Sequence, residues 1–370
     1  MKIPLCRPSI SNNEIKLVAK SLKSSWLTHG PYNIKFEQLF NKKFKTRYSI
    51  AMNSCTSALE CAVKSLGVKG EIIIPSFTWV STANAIINCG SKPVFADIDY
   101  KTRNIDLDSI KKCVTKKTVA IIVVHFAGLP CDMNKIIKFC KKKNIKIIED
   151  SAETLGAKIG SKFTGSFGIG CFSFFPTKNI TTTEGGMLTT NNKNVYNYVK
   201  KLIAHGIDKK IKTNFWHRVA VLPGHNFRMP NHLAAIGYLQ LKKIEKFNKR
   251  RNQIAGIYNS ELSKINHKID IPFIPKGYTH SYQMYTITVS KKIRNKLLNY
   301  LKKHNIEASA HFDPPLHSQK YLKKYNKINL PVTNKLSKEI ITLPIFPDMT
   351  KKEVFYVIKM INKFYKINNL

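Results

Sequence analysis

Lys178 lies in the stretch Cys171–Thr190, CFSFFPTKNITTTEGGMLTT. It reads as an apolar strand, a short turn bearing the lysine, a threonine run, a Glu-Gly-Gly corner and a second strand. Most lysines are solvated, and this chain has many of that kind. A lysine fixed between two buried strands is partly desolvated. Desolvation disfavours the charged form of an amine, and the neutral amine attacks carbonyls. Upstream, Ile145–Gly156 reads IKIIEDSAETLG. Its strand ends in Glu149-Asp150, at the edge where open α/β sheets bind ligands.

A strand-end carboxylate and a lysine on a later hairpin are the pair that pyridoxal phosphate (PLP) requires. The amine condenses with the cofactor aldehyde. The carboxylate keeps the pyridine nitrogen protonated, so that the ring accepts electrons from a substrate carbanion. On these motifs the chain resembles the DegT/DnrJ/EryC1/StrS family of PLP-dependent nucleotide-sugar aminotransferases, from Pro4 to roughly Lys363. Within the family it is most similar to the perosamine and viosamine synthases, which aminate C4 of a nucleotide-linked 4-keto-6-deoxyhexose. Amination at C3 of a 3-keto sugar is the nearest alternative. The nucleotide (GDP, UDP or dTDP) and the hexose stereochemistry stay open.

The resemblance implies Lys178 and Asp150 as catalytic residues and L-glutamate as amino donor. It implies Trp79 stacked on the pyridine ring, though an aromatic after a strand is also ordinary core. Ser173, five positions before Lys178, would touch the cofactor phosphate. Thr56 and Ser57 open a helix after Asn53-Ser54-Cys55, where free N–H groups and the dipole favour a phosphate; plain capping is the competing reading. Glu153 stands where many relatives have Gln or His, near the cofactor ring oxygen and the substrate. Gly224-His225-Asn226-Phe227-Arg228-Met229 matches a family Gly-Tyr-Asn-Tyr-Arg-Met. There Asn226 would cross to the neighbouring subunit's phosphate, which implies a homodimer with shared active sites. Trp26 and Thr28, His311 and His317 are the further substrate-binding candidates. After the lysine the family has Thr-Thr-Gly-Glu-Gly-Gly, whereas Thr183 here replaces the first glycine. A β-branched residue resists the positive φ a glycine would take.

The elements that must position these residues are legible as a pattern. Apolar strands at Tyr48–Ala51, Glu71–Pro75, Pro93–Ile98, Thr118–His125 and Ile145–Glu149 alternate with helices, among them Leu107–Cys113 and Asp132–Lys143. Such alternation means a mostly parallel sheet covered on both faces. The expected class is α/β, and the family resemblance implies the fold type I of PLP-dependent transferases, with a large mixed sheet between helices and a smaller α+β C-terminal domain. We place the large domain at 1–245 and the small one at 246–370. Asn231 to Leu262 reads as one long helix joining them. A first helix starts near Asn12, a strand spans Ser281–Val289, and helices span Arg294–His304 and Lys351–Tyr365.

The chain has 370 residues and a net charge of +40, from 62 Lys and Arg against 22 Asp and Glu. Eight of the basic residues are arginine. Nucleic-acid binders cluster arginine on one face, whereas these lysines are spread along helix surfaces. The charge therefore reads as compositional bias, with steering of an anionic nucleotide sugar as the functional alternative. Nucleic acid is not the expected partner. No run of about 18 apolar residues predicts a membrane span. The N-terminus lacks an apolar signal core. Eight cysteines without CxxC spacing suit reduced thiols in a cytoplasm, with neither disulfides nor a metal site.

Overall fold

Runs such as EIIIP and TVAIIVV cannot stand in water and must be buried on both faces, so they form the middle of a sheet. A computed structural model describes residues 1–208, 210–211, 214–265, 269–326 and 328–369. Its strands are β1 Tyr48–Met52, β2 Glu71–Pro75, β3 Lys92–Ala96, β4 Thr118–Val124, β5 Lys146–Asp150, β6 Lys158–Ile159, β7 Lys162–Phe163, β8 Ile169–Ser173, β9 Gly186–Thr190, β10 Ile269–Asp270, β11 Tyr285–Val289 and β12 Ile340–Leu343. The helices are α1 Asn12–Leu22, α2 Pro31–Phe44, α3 Cys55–Lys64, α4 Val80–Asn88, α5 Leu107–Cys113, α6 Met133–Lys143, α7 Lys193–Leu202, α8 Asn231–Lys242, α9 Ile244–Leu262, α10 Lys291–Lys303, α11 Pro331–Glu339 and α12 Lys351–Ile367.

The large sheet runs β1-β9-β8-β5-β4-β2-β3, and β9 alone runs opposite to the other strands. The two-residue alternation of a strand assigns its faces. Ile72, Ile74 and Ile122 pack with Leu59 and Val63 of α3 and Ile86 of α4. Ile73, Ile121 and Val123 pack on the other side with Ile110 of α5 and Ile136 of α6. Phe36, Phe40 and Phe44 on α2 meet Phe172 of β8 and Phe174 just after it. Burying each such ring contributes about 1.5–3 kcal/mol, which pins the strand that leads to Lys178. A second sheet, β10-β11-β12, is antiparallel and packs with α9, α10, α12 and Ile3.

The parallel α/β class expected from the pattern is the class observed, with strand ends within a residue or two. Pro31 at the first helical position opens α2, a helix the sequence reading did not assign. Two readings need correction. The run from Asn231 is not one helix. It breaks at Lys243, whose N–H donates to Gln240 O at 2.9 Å. Lys243 turns there to bond Glu14 and Ser11 of the first helix. Burial raises the Glu14 carboxyl, but the bonds from Lys243, Ser11 and Gln240 outweigh it and hold the group at about 2. Finally, the strand expected from Ser281 begins only at Tyr285, and the residues before it are irregular.

Candidate active site

In parallel sheets the strand C-termini and the following loops form one edge, and the side chains that gather there come from distant parts of the chain. At this edge lies a cavity of about 420 Å³. Its walls include Val124 and Asp150 from the ends of β4 and β5, Ser173 from β8, Thr56 from α3, Trp79 before α4, and Lys178, Glu153 and His311 from loops.

Lys178 sits in the turn between β8 and β9, as its sequence neighbours required. The turn is tied by Thr182 N–H to Phe174 O at 2.9 Å and Phe174 N–H to Gly185 O at 2.9 Å. The lysine side chain is 17% exposed, and its Nζ lies 3.5 Å from Glu153 Oε1. The other Glu153 oxygen accepts from Ala127 N–H at 2.8 Å, so the carboxylate is anchored.

Asp150 ends β5 and is buried. Its Oδ2 accepts from Thr82 Oγ1 at 2.8 Å and its Oδ1 from Ala152 N–H at 3.2 Å. Burial raises this carboxyl above its ordinary range, and the Thr82 and Ala152 bonds only partly offset that. Among the described residues it makes no ion pair. A buried carboxylate without a cation is costly unless a cationic group docks against it. Trp79 is 62% exposed on the wall, its ring 6.4 Å from that of Phe312.

At the start of α3, Ser54 Oγ accepts from Ser57 N–H at 3.0 Å and Ser54 O from Ala58 N–H at 3.2 Å. The N–H groups of Cys55 and Thr56, on the cavity wall, are those a helix N-terminus leaves for an anion. Gly186 of β9 makes this cradle. A Cβ there would lie 2.4 Å from Ser54 C and O and 2.5 Å from Cys55 N. An aldehyde-reactive amine, a buried acid awaiting a cation, an exposed indole and a backbone anion cradle fit PLP group by group. We expect Gly186→Ala to weaken PLP binding about 5–150-fold, since overpacking here costs about 1–3 kcal/mol. Fluorescence titration checks this, and unchanged affinity contradicts the cradle.

Ser57, His317, Trp26, Thr28 and Asn226 do not line this chain's cavity. The Ser57 hydroxyl donates to Asn53 Oδ1 at 2.7 Å, inside the capping turn. His317 is engaged through both ring nitrogens, with Ser76 Oγ at 2.7 Å and Asn334 Oδ1 at 3.0 Å, and so joins β2 to α11. Trp26 Nε1 donates to His29 O at 2.7 Å, and Asn226 Oδ1 accepts from Arg228 Nη2 at 3.2 Å. Trp26, Thr28 and Asn226 lie exposed. His311 does line the cavity. Its Nδ1 meets Thr342 Oγ1 at 2.8 Å, and burial lowers its ring below the ordinary histidine value despite nearby Glu153.

The sequence reading missed Thr82, Cys6, Gln283 and Phe312, all on the wall. Thr82 had a signal: it follows Trp79 by three positions, one turn into α4. The reading was right that Thr183 sits where a glycine would suit. Thr183 is exposed and takes φ +67°. That conformation costs an L-residue about 1–2 kcal/mol, against about 0.5–1 kcal/mol for glycine's extra freedom when unfolded. Thr183→Gly should therefore raise stability by up to about 1 kcal/mol in urea unfolding of the cofactor-free chain. A clear loss contradicts the strain.

Among the described residues no group of three His, Cys, Asp or Glu is placed to hold a metal ion, and no helix is long and apolar enough to cross a membrane.

The model of the DegT/DnrJ/EryC1/StrS aminotransferase family matches residues 8–362. The chain is 36% identical to the GDP-perosamine synthase of Escherichia coli O157:H7 over 372 residues, 98% of each protein. It superposes on the aminotransferase TlmJ of Streptoalloteichus hindustanus with a TM-score of 0.94, at 26% identity and 100% coverage of both chains. It is also similar to the putative sugar aminotransferase Spr1654 of Streptococcus pneumoniae, solved in PMP and PLP forms. That match has a TM-score of 0.92 and 28% identity over 98% of each chain.

Proposed function

Because the chain belongs to the DegT/DnrJ/EryC1/StrS aminotransferase family, whose members depend on PLP, we propose that it moves the amino group of L-glutamate to C4 of a nucleotide-linked 4-keto-6-deoxyhexose, of the GDP-perosamine or UDP/dTDP-viosamine type. The observation that carries the sugar assignment is the end-to-end likeness to an enzyme named GDP-perosamine synthase. Glutamate leaves as 2-oxoglutarate, and the keto sugar becomes a 4-amino-4,6-dideoxy sugar.

Bound PLP supplies an electrophilic aldehyde and an electron-accepting ring. Lys178 Nζ would hold the cofactor. The same amine would take the proton from the glutamate α-carbon and, in the reverse half, give a proton to C4 of the sugar. Such proton transfer contributes about 10²–10⁴-fold. Asp150 would keep the proton on the pyridine nitrogen. Thr82 and the Ala152 N–H orient Asp150 through its two oxygens. Trp79 would offer its indole to the ring. Thr56 and the N–H groups at the start of α3 would bind the phosphate with Ser173. Glu153, anchored by Ala127, holds its free oxygen toward Lys178 Nζ and, with His311, faces the substrate.

Asn226, Trp26 and Thr28 serve the neighbouring subunit's site in a homodimer. Phe215 and Trp216, 82% and 60% exposed in the segment that leads to Asn226, support a surface that a second copy covers. The division of the chain near residue 245 and a cytoplasmic setting belong to the same reading.

The test is incubation of the protein with PLP, glutamate and a panel of nucleotide 4-keto- and 3-keto-6-deoxyhexoses. A 4-amino sugar is expected. A 3-amino sugar alone overturns the position of amination.

A further inference from the structure

We propose that the segment 280–283, through Gln283, holds the turn bearing Lys178 in register with the loop that follows Asp150. The segment lies between the two. Toward the Asp150 loop, Ser281 Oγ donates to Glu153 O at 3.3 Å; toward the neighbouring loop after β4, Ser281 N–H donates to Gly128 O at 3.0 Å. Toward the lysine turn, Ser281 O accepts from Asn179 Nδ2 at 3.0 Å. Gln283 Nε2 donates to Thr177 O at 3.1 Å. Thr177 and Asn179 are the two residues flanking Lys178. From behind, the buried Arg251 Nη1 donates to the carbonyls of Tyr282, Gln283 and Ile345 at 3.2, 3.3 and 2.9 Å.

Two features argue that function, rather than stability, keeps this arrangement. Tyr282 is buried with φ +45°, an outlier for an aromatic residue of the kind that gathers at functional sites. In Gln283 the carbonyl of Thr177 can only accept, so the amide nitrogen must face it. That leaves Oε1 buried with no donor among the described residues. An unsatisfied buried acceptor is destabilising. An apolar side chain of similar length would suit the fold at least as well, with Thr177 O keeping its contact to Cys6 Sγ at 3.8 Å. What such a side chain loses is the grip on the lysine turn. Gln283 is therefore a positioning residue, acting on Lys178 through Thr177.

The inference rests on Lys178 carrying the cofactor and is independent of the sugar. Wild type, Gln283→Met and Gln283→His are compared by cofactor-free melting, by pH titration of the visible band after PLP loading, and by the rate at which glutamate removes that band. Gln283→Met is expected to melt near wild type and to titrate at a shifted pH. It should react about 10–100-fold more slowly at saturating glutamate, as a misplaced group does. The half-saturating glutamate concentration should not change. Gln283→His, which can donate to Thr177 O, should recover most of the rate. The proposal is overturned if Gln283→Met fails to fold, if it keeps the wild-type rate and titration, if only half-saturation moves, or if His does not rescue. A wild type with no visible band on loading would instead overturn the role of Lys178.

Discussion

Lys178→Arg is expected to lower turnover at least about 10⁴-fold while leaving the fold intact. In the proposed reaction the amine does two jobs, holding the cofactor and moving the proton, and the second alone contributes about 10²–10⁴-fold. Arginine keeps the charge facing Glu153 Oε1, now 3.5 Å from Nζ, so lost pairing cannot explain the loss. Guanidinium stays protonated and neither condenses with an aldehyde nor accepts a proton from carbon. The side chain is only 17% exposed, which limits access of a bulk amine to the same place. Single-turnover reaction with glutamate is the measurement. A variant within about tenfold of wild type, far inside the range a proton carrier contributes, contradicts the assignment.

Asp150→Asn separates catalysis from stability. Without the acid, a protonated pyridine nitrogen has no counter-charge in a buried place. Breaking such a buried pair costs about 3–5 kcal/mol, roughly 10²–10⁴-fold in rate. The cofactor-free chain should respond in the opposite sense. Burial raises the folded carboxyl above its unfolded value. Its favourable contribution is therefore complete below the ordinary aspartate range and is lost as pH rises through the raised folded value. As pH rises past that range the buried, raised carboxyl becomes a liability to the cofactor-free fold. Asparagine removes the charge, keeps an oxygen for Ala152 N–H and can donate to Thr82 Oγ1. The variant should therefore melt higher than wild type near pH 7, and the difference should vanish on acidification. A cofactor-free variant that melts lower at pH 7 contradicts this account of Asp150.

That Asp150 and Lys178 meet at one cavity could be read from the chain because both residues sit beside regular elements. Asp150 ends a strand that its Ile and Val neighbours announce, and Lys178 follows another. What the sequence hid depends on contacts far apart along the chain. His317 seemed a loop residue free for substrate, yet its partner Ser76 is 241 positions away. Ser57 seemed available to a phosphate, but Asn53 and Ser54 claim its polar groups. The alternation of Ser281–Val289 suggested a strand from its first residue. The carbonyls of Tyr282 and Gln283 instead turn to Arg251. The break at Lys243 follows from Glu14, at the other end of the chain. Local pattern reports local preference, and these are tertiary overrides of it.

The most direct test is borohydride reduction of the PLP-loaded protein, followed by proteolysis and peptide mass spectrometry. A single modified lysine, Lys178, is expected among the many this chain carries, and none when Lys178 is replaced by arginine. A reduced adduct on any other lysine, or none at all, would contradict it.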